Sequence, residues 1–169
     1  MHYATFASHL ELAYLANKEG ERDMKCKEIM TKDPVCCLPD DEVQKAAKLM
    51  KDEDVGVIPI IEDEETKSLL GIVTDRDLAL RVVAEGRDVG STRIKDVMTT
   101  GAVSCRPDDD LQKALDAMEE NQVRRIPVVD NNRKIVGIIA QADVATRLSE
   151  PQKTAAVVEE ISKSQTAGI

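Results

Sequence analysis

Apolar positions change their spacing twice between residues 29 and 61, and the same change recurs 68 positions later. A short apolar piece at 35–38 stops at Pro39-Asp40-Asp41, after which Val43, Ala46, Ala47 and Met50 follow at intervals of three and four, the period of one helical face. Two near-continuous apolar runs come next, Val57–Ile61 and 69–73, separated by a polar stretch, and they predict a buried hairpin. A second helical pattern at about 75–85 closes the unit. The downstream copy repeats each step: an extended piece at 103–106, Pro107-Asp108-Asp109, a helical face of Leu111, Ala114, Leu115 and Met118, runs at 126–129 and 135–139, and a helix at about 141–148.

Residues 29–61 laid on 97–129 are identical at 14 of 33 positions, including Met30/Met98, Thr31/Thr99, Gln44/Gln112 and Ile58-Pro59/Ile126-Pro127. A two-residue gap in the polar turn then aligns Gly71/Gly137, Asp77/Asp143 and Arg81/Arg147. Length changes belong in surface turns, so the placement of the gap supports the alignment. The order is β-α-β-β-α, twice. A unit of about 60 residues buries too little surface to be comfortable alone, so the two are expected to pack sheet to sheet about a pseudo-two-fold axis. The helix after Pro-Asp-Asp is expected to start on those acids.

This divides the chain into an N-terminal segment (1–24), a first unit (25–86), a linker (87–92), a second unit (93–149) and a C-terminal helix with tail (150–169). Phe6, Leu10 and Tyr14 fit a short amphipathic helix at the start, packed on the module or on a neighbouring subunit. Pro151, Ala155, Val158 and Ile161 fit a helix at the end. Otherwise the segment before Met24 is loosely ordered, or lies upstream of the natural start if Met24 is that start.

Composition narrows the chemistry. With 32 acidic against 23 basic residues and a net charge of −9, the chain repels phosphate backbones, and no Lys/Arg block offsets this. Nucleic acid is not an expected partner. No aromatic residue follows Tyr14, so a flat ligand would lie between aliphatic side chains and main chain. No apolar run reaches the roughly 18 residues of a membrane span. The four cysteines (Cys26, Cys36, Cys37, Cys105) follow no metal-ligand or disulfide spacing, which predicts a cytoplasmic protein without a metal site. Both histidines, His2 and His9, lie in the terminal segment, leaving no catalytic Ser/His/Asp or Cys/His set. The chain is not expected to be an enzyme.

The sharpest motif is Gly71-Ile-Val-Thr74-Asp-Arg-Asp77, where a strand passes into a helix. Two readings are open. Thr-x-x-Asp is a capping box, which needs no ligand. Equally, free N–H groups at a helix start suit phosphate, and a carboxylate beside them can accept two vicinal ribose hydroxyls. The second copy, Gly137-Ile-Ile-Ala140-Gln-Ala-Asp143, loses the hydroxyl yet keeps the acid.

The duplicated unit, with Ile29-Met-Thr31, Pro39-Asp, Ile58-Pro59-Ile and Gly71-x-x-Thr-x-x-Asp77, resembles a tandem pair of CBS domains, the Bateman module, over about residues 25–149. The resemblance implies an α/β (α+β) fold of two pseudo-symmetric units and a sensor of adenosine-containing ligands such as AMP, ADP or ATP. It assigns ribose and phosphate contacts to Thr74 and Asp77 in one cleft and to Asp143 in the other, where Ala140 weakens the pattern. It places cleft walls at Val35, Cys36, Cys37, Val57 and Ile58 in the first unit and at Val103, Ser104, Cys105 and Ile126 in the second. Arg124 and Arg125 stand where basic residues of some relatives meet phosphate, or else pair with Glu119 or Glu120; Arg76 reaches phosphate or faces solvent. The expected ligand is a regulatory adenine nucleotide, with no obligatory cofactor. Helix faces at 43–50, 78–82 and 111–118 offer spare apolar surface, so a homodimer acting on an unidentified regulated protein is expected. The alternative is a structural homodimerisation module with empty clefts.

Overall fold

Each of the two sheets at the centre of the molecule takes one strand from the other repeat. The computed structural model describes residues 24–147; the terminal helices expected around Phe6 and over 150–163, and both histidines, lie outside the described residues. In chain order the elements are α1 (Cys26–Ile29), β1 (Thr31–Lys32), α2 (Val43–Asp52), β2 (Val57–Ile61), β3 (Leu69–Thr74) and α3 (Asp75–Leu78), which widens into a π-helical turn at Ala79–Val83. A 3-10 turn (Ile94–Asp96), β4 (Thr99–Thr100), α4 (Leu111–Glu120), β5 (Arg125–Val129), β6 (Ile135–Ala140) and α5 (Gln141–Arg147) follow. One sheet runs β1-β6-β5 and the other β2-β3-β4, with every pairing antiparallel. The mixed α+β architecture with two pseudo-equivalent sheets is therefore the one the repeat predicts.

Sequence repeat and packing unit are not the same stretch of chain. Cys26, Ile29 and Met30 of the first repeat sit in one core with Leu111, Met118, Ile126 and Ile139 of the second. Reciprocally, Ile94 and Val97 join Val43, Met50, Ile58 and Val73. Two glycines permit the exchange. A Cβ on Gly71 would collide with the Thr99 carbonyl oxygen, and one on Gly137 would lie 2.6 Å from the Met30 sulfur. The close approach that these glycines allow is to the crossing strand of the other repeat.

The extended pieces at 35–38 and 103–106 form single parallel bridges, Cys37 to Ile60 and Cys105 to Val128, rather than strands. The ladder stops because the next N–H is already engaged: Leu38 N–H donates to the Asp41 carboxylate at 2.8 Å, and Arg106 N–H to Asp109 at 2.8 Å. The Pro-Asp-Asp acids thus do not cap the helices. The N-cap residues are Glu42 and Asp110, neither with a side-chain cap bond. The first acid of each trio instead holds the exchanged segment, Asp40 to Lys95 at 2.6 Å and Asp108 to Lys27 at 2.6 Å.

The second acid of each trio carries a pH dependence. Partial burial works to raise the carboxyls of Asp41 and Asp109. Hydrogen bonds from Lys45 and the Leu38 N–H, and from the Arg106 N–H and Lys113, outweigh it and hold both below the usual carboxylate range. A carboxyl lowered on folding stabilises above its unfolded pKa of about 3.9, and that contribution disappears as pH falls through the lower folded value. Denaturant midpoints are expected to be flat from about pH 7 to 5 and to fall below about pH 4. Asp41→Asn should flatten part of that fall.

A third apolar cluster joins the units at their hairpin turns, with Ile61 and Leu69 against Ile135. Leu69 N–H donates to Arg133 O at 3.0 Å, and Ile135 N–H to Lys67 O at 3.0 Å. The helix faces expected to be spare are spent inside, since Val43, Ala46, Met50, Val82, Leu111, Ala114 and Met118 are all buried. The exception is Leu80 of the 78–82 face (51% exposed), which with Val83 (72%) leaves apolar surface in the open on the π-helical turn. No helix among the described residues is long and apolar enough to cross a membrane.

Candidate functional site

Strand β3 ends at Thr74 because the helix that follows needs a cap, and Thr74 supplies it. Its hydroxyl accepts from Asp77 N–H at 3.2 Å, while its own N–H and hydroxyl donate to Asp77 Oδ2 at 2.9 and 2.6 Å. The capping box is fully formed. The other carboxylate oxygen, Oδ1, faces Arg81 at 3.5 Å, and the Asp77 side chain is 14% exposed.

Arg81 also donates to the carbonyls of Val97 (2.8 Å) and Met98 (3.3 Å), in the segment that the second repeat lends to the first. The acid of the motif is thereby wired, through one guanidinium, to the crossing chain.

The helix start offers less to an anion than its position suggests. Asp75 N–H donates to Gly56 O at 3.2 Å, Arg76 N–H to Asp75 Oδ1 at 2.8 Å, and Asp77 N–H to Thr74. All three N–H groups of the first turn already have protein partners.

Positive charge comes from elsewhere. A Cβ built on Gly56 would lie 2.7 Å from a guanidinium nitrogen of Arg125 and 2.7 Å from Asp75 Oδ2. Arg125 therefore crosses from the second unit to the mouth of the first unit's motif. Gly56 is the residue that leaves room for it. Arg125 and Asp75 meet at this place, one residue from Thr74, while Arg76 is exposed and only its main-chain N–H is engaged here. Gly56, Asp75 and Arg81 were not singled out in the sequence. The repeat sets Gly56-Val57 against Arg124-Arg125, which marks a difference in charge between the units but not that Arg125 reaches Gly56.

The second copy is a thinner version. Ala140 N–H donates to Asp143 Oδ2 at 3.0 Å, with no hydroxyl beside it. Arg124 is exposed on this side, as are Val103 and Ser104. The side chains of Cys37, Val57, Ile58, Cys105 and Ile126 are enclosed in the cores, so a ligand at those positions would meet main chain. Val35 and Cys36 are half-buried, with the Cys36 thiol donating to Pro34 O at 3.2 Å. Burial pushes the thiols of Cys36 and Cys37 up to about 11, which keeps them protonated and unreactive at neutral pH. Among the described residues no group of three or more His, Cys, Asp or Glu could hold a metal ion.

Comparison with known proteins identifies the family of the two units. The profile of the CBS domain matches twice, at residues 26–84 and 94–150. The CBS domain-containing protein YhcV of Bacillus subtilis is 40% identical over 136 residues, covering 80% of this chain and 94% of its own. The match to the inosine-5'-monophosphate dehydrogenase of Methanocaldococcus jannaschii covers 76% of this chain but only 24% of that enzyme. Among solved structures, hypoxic response protein I with two coordinated zinc ions superposes with a TM-score of 0.67 at 30% identity, over 74% of this chain and 99% of its own. The CBS domain pair of protein MJ0100, in complex with 5-methylthioadenosine and S-adenosyl-L-methionine, superposes with a TM-score of 0.66 at 25% identity, over 74% and 95%.

Proposed function

From the premise that this chain belongs to the CBS-domain family, we propose that it is a non-catalytic regulatory pair that takes an adenosine nucleotide of the AMP, ADP or ATP class at the Thr74–Asp77 cleft. The observation that carries the reading is the approach of Arg125 from one unit to Gly56 and Asp75 of the other, at the start of the helix that Thr74 and Asp77 cap. In this reading the ribose hydroxyls donate to Asp77 Oδ1, displacing Arg81, and the Arg125 fork takes a phosphate. Displaced Arg81 loosens its hold on the Val97 and Met98 carbonyls, and occupancy is passed to the crossing segment. The adenosine ligands of protein MJ0100 lend the proposal chemical precedent.

Charge favours the smallest phosphate chain. Asp75 and Asp77 stand against Arg76, Arg81 and Arg125, which leaves roughly one surplus positive charge for the ligand. Calorimetric titration of the protein, stripped of carried-over ligand, is expected to show saturable heat with affinity falling from AMP to ADP to ATP. Absence of heat with all three would overturn the proposal. The Asp143 cleft is expected to be the weaker or empty one.

The alternative, a homodimerisation module with empty clefts, draws on one observation: both Asp77 oxygens already have protein partners. Mass spectrometry of freshly purified, denatured protein separates the two, because a bound nucleotide would be released. In either reading the chain forms a homodimer through the face of Leu80 and Val83. Light scattering should therefore give about twice the 18.6 kDa chain mass, and a V83E variant should give the monomer.

A further inference from the structure

Two thiols that belong to different repeats meet in the core of the second unit. Cys26 opens α1, in the lent segment of the first repeat, and Cys105 lies in the extended piece that bridges to β5. They share one apolar cluster, exposed at 0% and 3%, and both are free thiols. The Cys26 main chain is fixed by its N–H to Asp109 O at 2.9 Å, with its sulfur 3.8 Å from Asp110 O. Cys105 is fixed by its N–H to Pro127 O at 3.0 Å, with its sulfur 3.9 Å from the same carbonyl. The two side chains share that cluster, and each perturbs the titration of the other.

The pair is chemically unequal. Hydrogen bonding from Cys105 draws the Cys26 thiol below its ordinary range, whereas the bond to Cys26, followed by burial, pushes Cys105 well above it. Cys26 is thus the nucleophile and Cys105 the resolving thiol. Access comes from opening of the lent segment. Its holds are main-chain bonds, Lys27 N–H to Pro107 O at 2.9 Å and Leu111 N–H to Met24 O at 2.8 Å, and two exposed ion pairs, Lys25 to Asp110 at 2.5 Å and Lys27 to Asp108 at 2.6 Å, which by themselves hold weakly.

We propose that Cys26 and Cys105 are a reversible disulfide site, closed by a peroxide, which locks the lent segment of the first repeat onto the wall of the second cleft. The Cys26 thiolate attacks a peroxide oxygen, the O–O bond breaks, and sulfenic acid and hydroxide result. The Cys105 sulfur then attacks the sulfenyl sulfur; the S–S bond forms, the S–O bond breaks, and the hydroxyl leaves with the Cys105 proton as water. In sum two thiols and hydrogen peroxide give one disulfide and two waters, and a dithiol reductant reverses the change. Cys105 directly follows Val103 and Ser104, so the lock acts on the wall of the weaker cleft.

The test treats the full chain with hydrogen peroxide, alkylates it in denaturant and maps the peptides with a protease other than trypsin, since Lys25 and Lys27 flank Cys26. Expected are the loss of two of the four thiols, a chain two hydrogens lighter that stays single on a non-reducing gel, and one linked pair, Cys26 to Cys105. Dithiothreitol should restore all four thiols. C26S and C105S should each abolish the product, and a C36S/C37S double variant should retain it. Four alkylatable thiols after treatment, a bond to Cys36 or Cys37, or a bond between chains would each overturn the proposal.

Discussion

Asp77→Ala is expected to lower nucleotide affinity at least about 100-fold, because it removes a charged acceptor facing two donors and charge-assisted hydrogen bonds contribute about 1.5–3 kcal/mol each. The same substitution strips the acceptor from Thr74, whose N–H and hydroxyl both donate to Oδ2. It should therefore also cost about 1–2 kcal/mol of stability, as loss of a cap does. The two effects separate in Asp77→Asn, which keeps an oxygen for the Thr74 N–H and loses the charge. That variant is expected to unfold close to the parent midpoint while still binding about 10-fold more weakly. Asp143→Ala, at the site where no hydroxyl stands beside the Ala140 N–H, should be the milder of the two alanine changes in both assays. Unchanged titration heats for Asp77→Ala would leave the motif as a capping box and nothing more.

Gly71→Ala is expected to be the most destabilising glycine-to-alanine change among the described residues. The obstacle is a main-chain carbonyl, that of Thr99, held in register by the β3–β4 pairing of Gly71 with Thr100. Main chain in a sheet cannot swing aside, so the strand must detach or the barrel of contacts around Ile94 and Val97 must shift, at a cost of about 3 kcal/mol. Gly137→Ala makes the equivalent insertion against the Met30 side chain, with the Thr31 carbonyl at 3.0 Å. Methionine adapts by rotating its thioether, so about 1 kcal/mol is expected there. Urea denaturation of the two variants checks the order; equal midpoints would mean that the lent strands are not held as the structure places them.

The helices, hairpins and twofold repetition were legible because each rests on local periodicity. Val43, Ala46 and Met50, and their counterparts Leu111, Ala114 and Met118, announce a buried face wherever it packs. Partner choice was not legible. Nothing in Met30-Thr31 says that the strand pairs with Gly137 rather than with its own Gly71, because both copies carry the Met-Thr pair and the glycine and either pairing satisfies the pattern. The Pro-Asp-Asp acids were misread for a related reason: an acid before a helix suits capping, but Leu38, Lys45 and Lys95 compete for it through contacts set by the long-range fold. At the site, Thr74 and Asp77 were found from their spacing. The role of Arg125 in the first unit was hidden by its position in the second, and Asp75 and Arg81 looked like ordinary helix-surface charges.

The lent strands bear on ancestry. A solitary repeat would lack the third strand of its sheet and one flank of its interior, and its own Met-Thr stretch would be left reaching outward. Two identical copies could supply each other, which makes a half-length ancestor an obligate pair. Fusing such copies end to end converts a concentration-dependent association into an intramolecular one. It also frees the halves to diverge, so that one can keep a hydroxyl while the other acquires alanine.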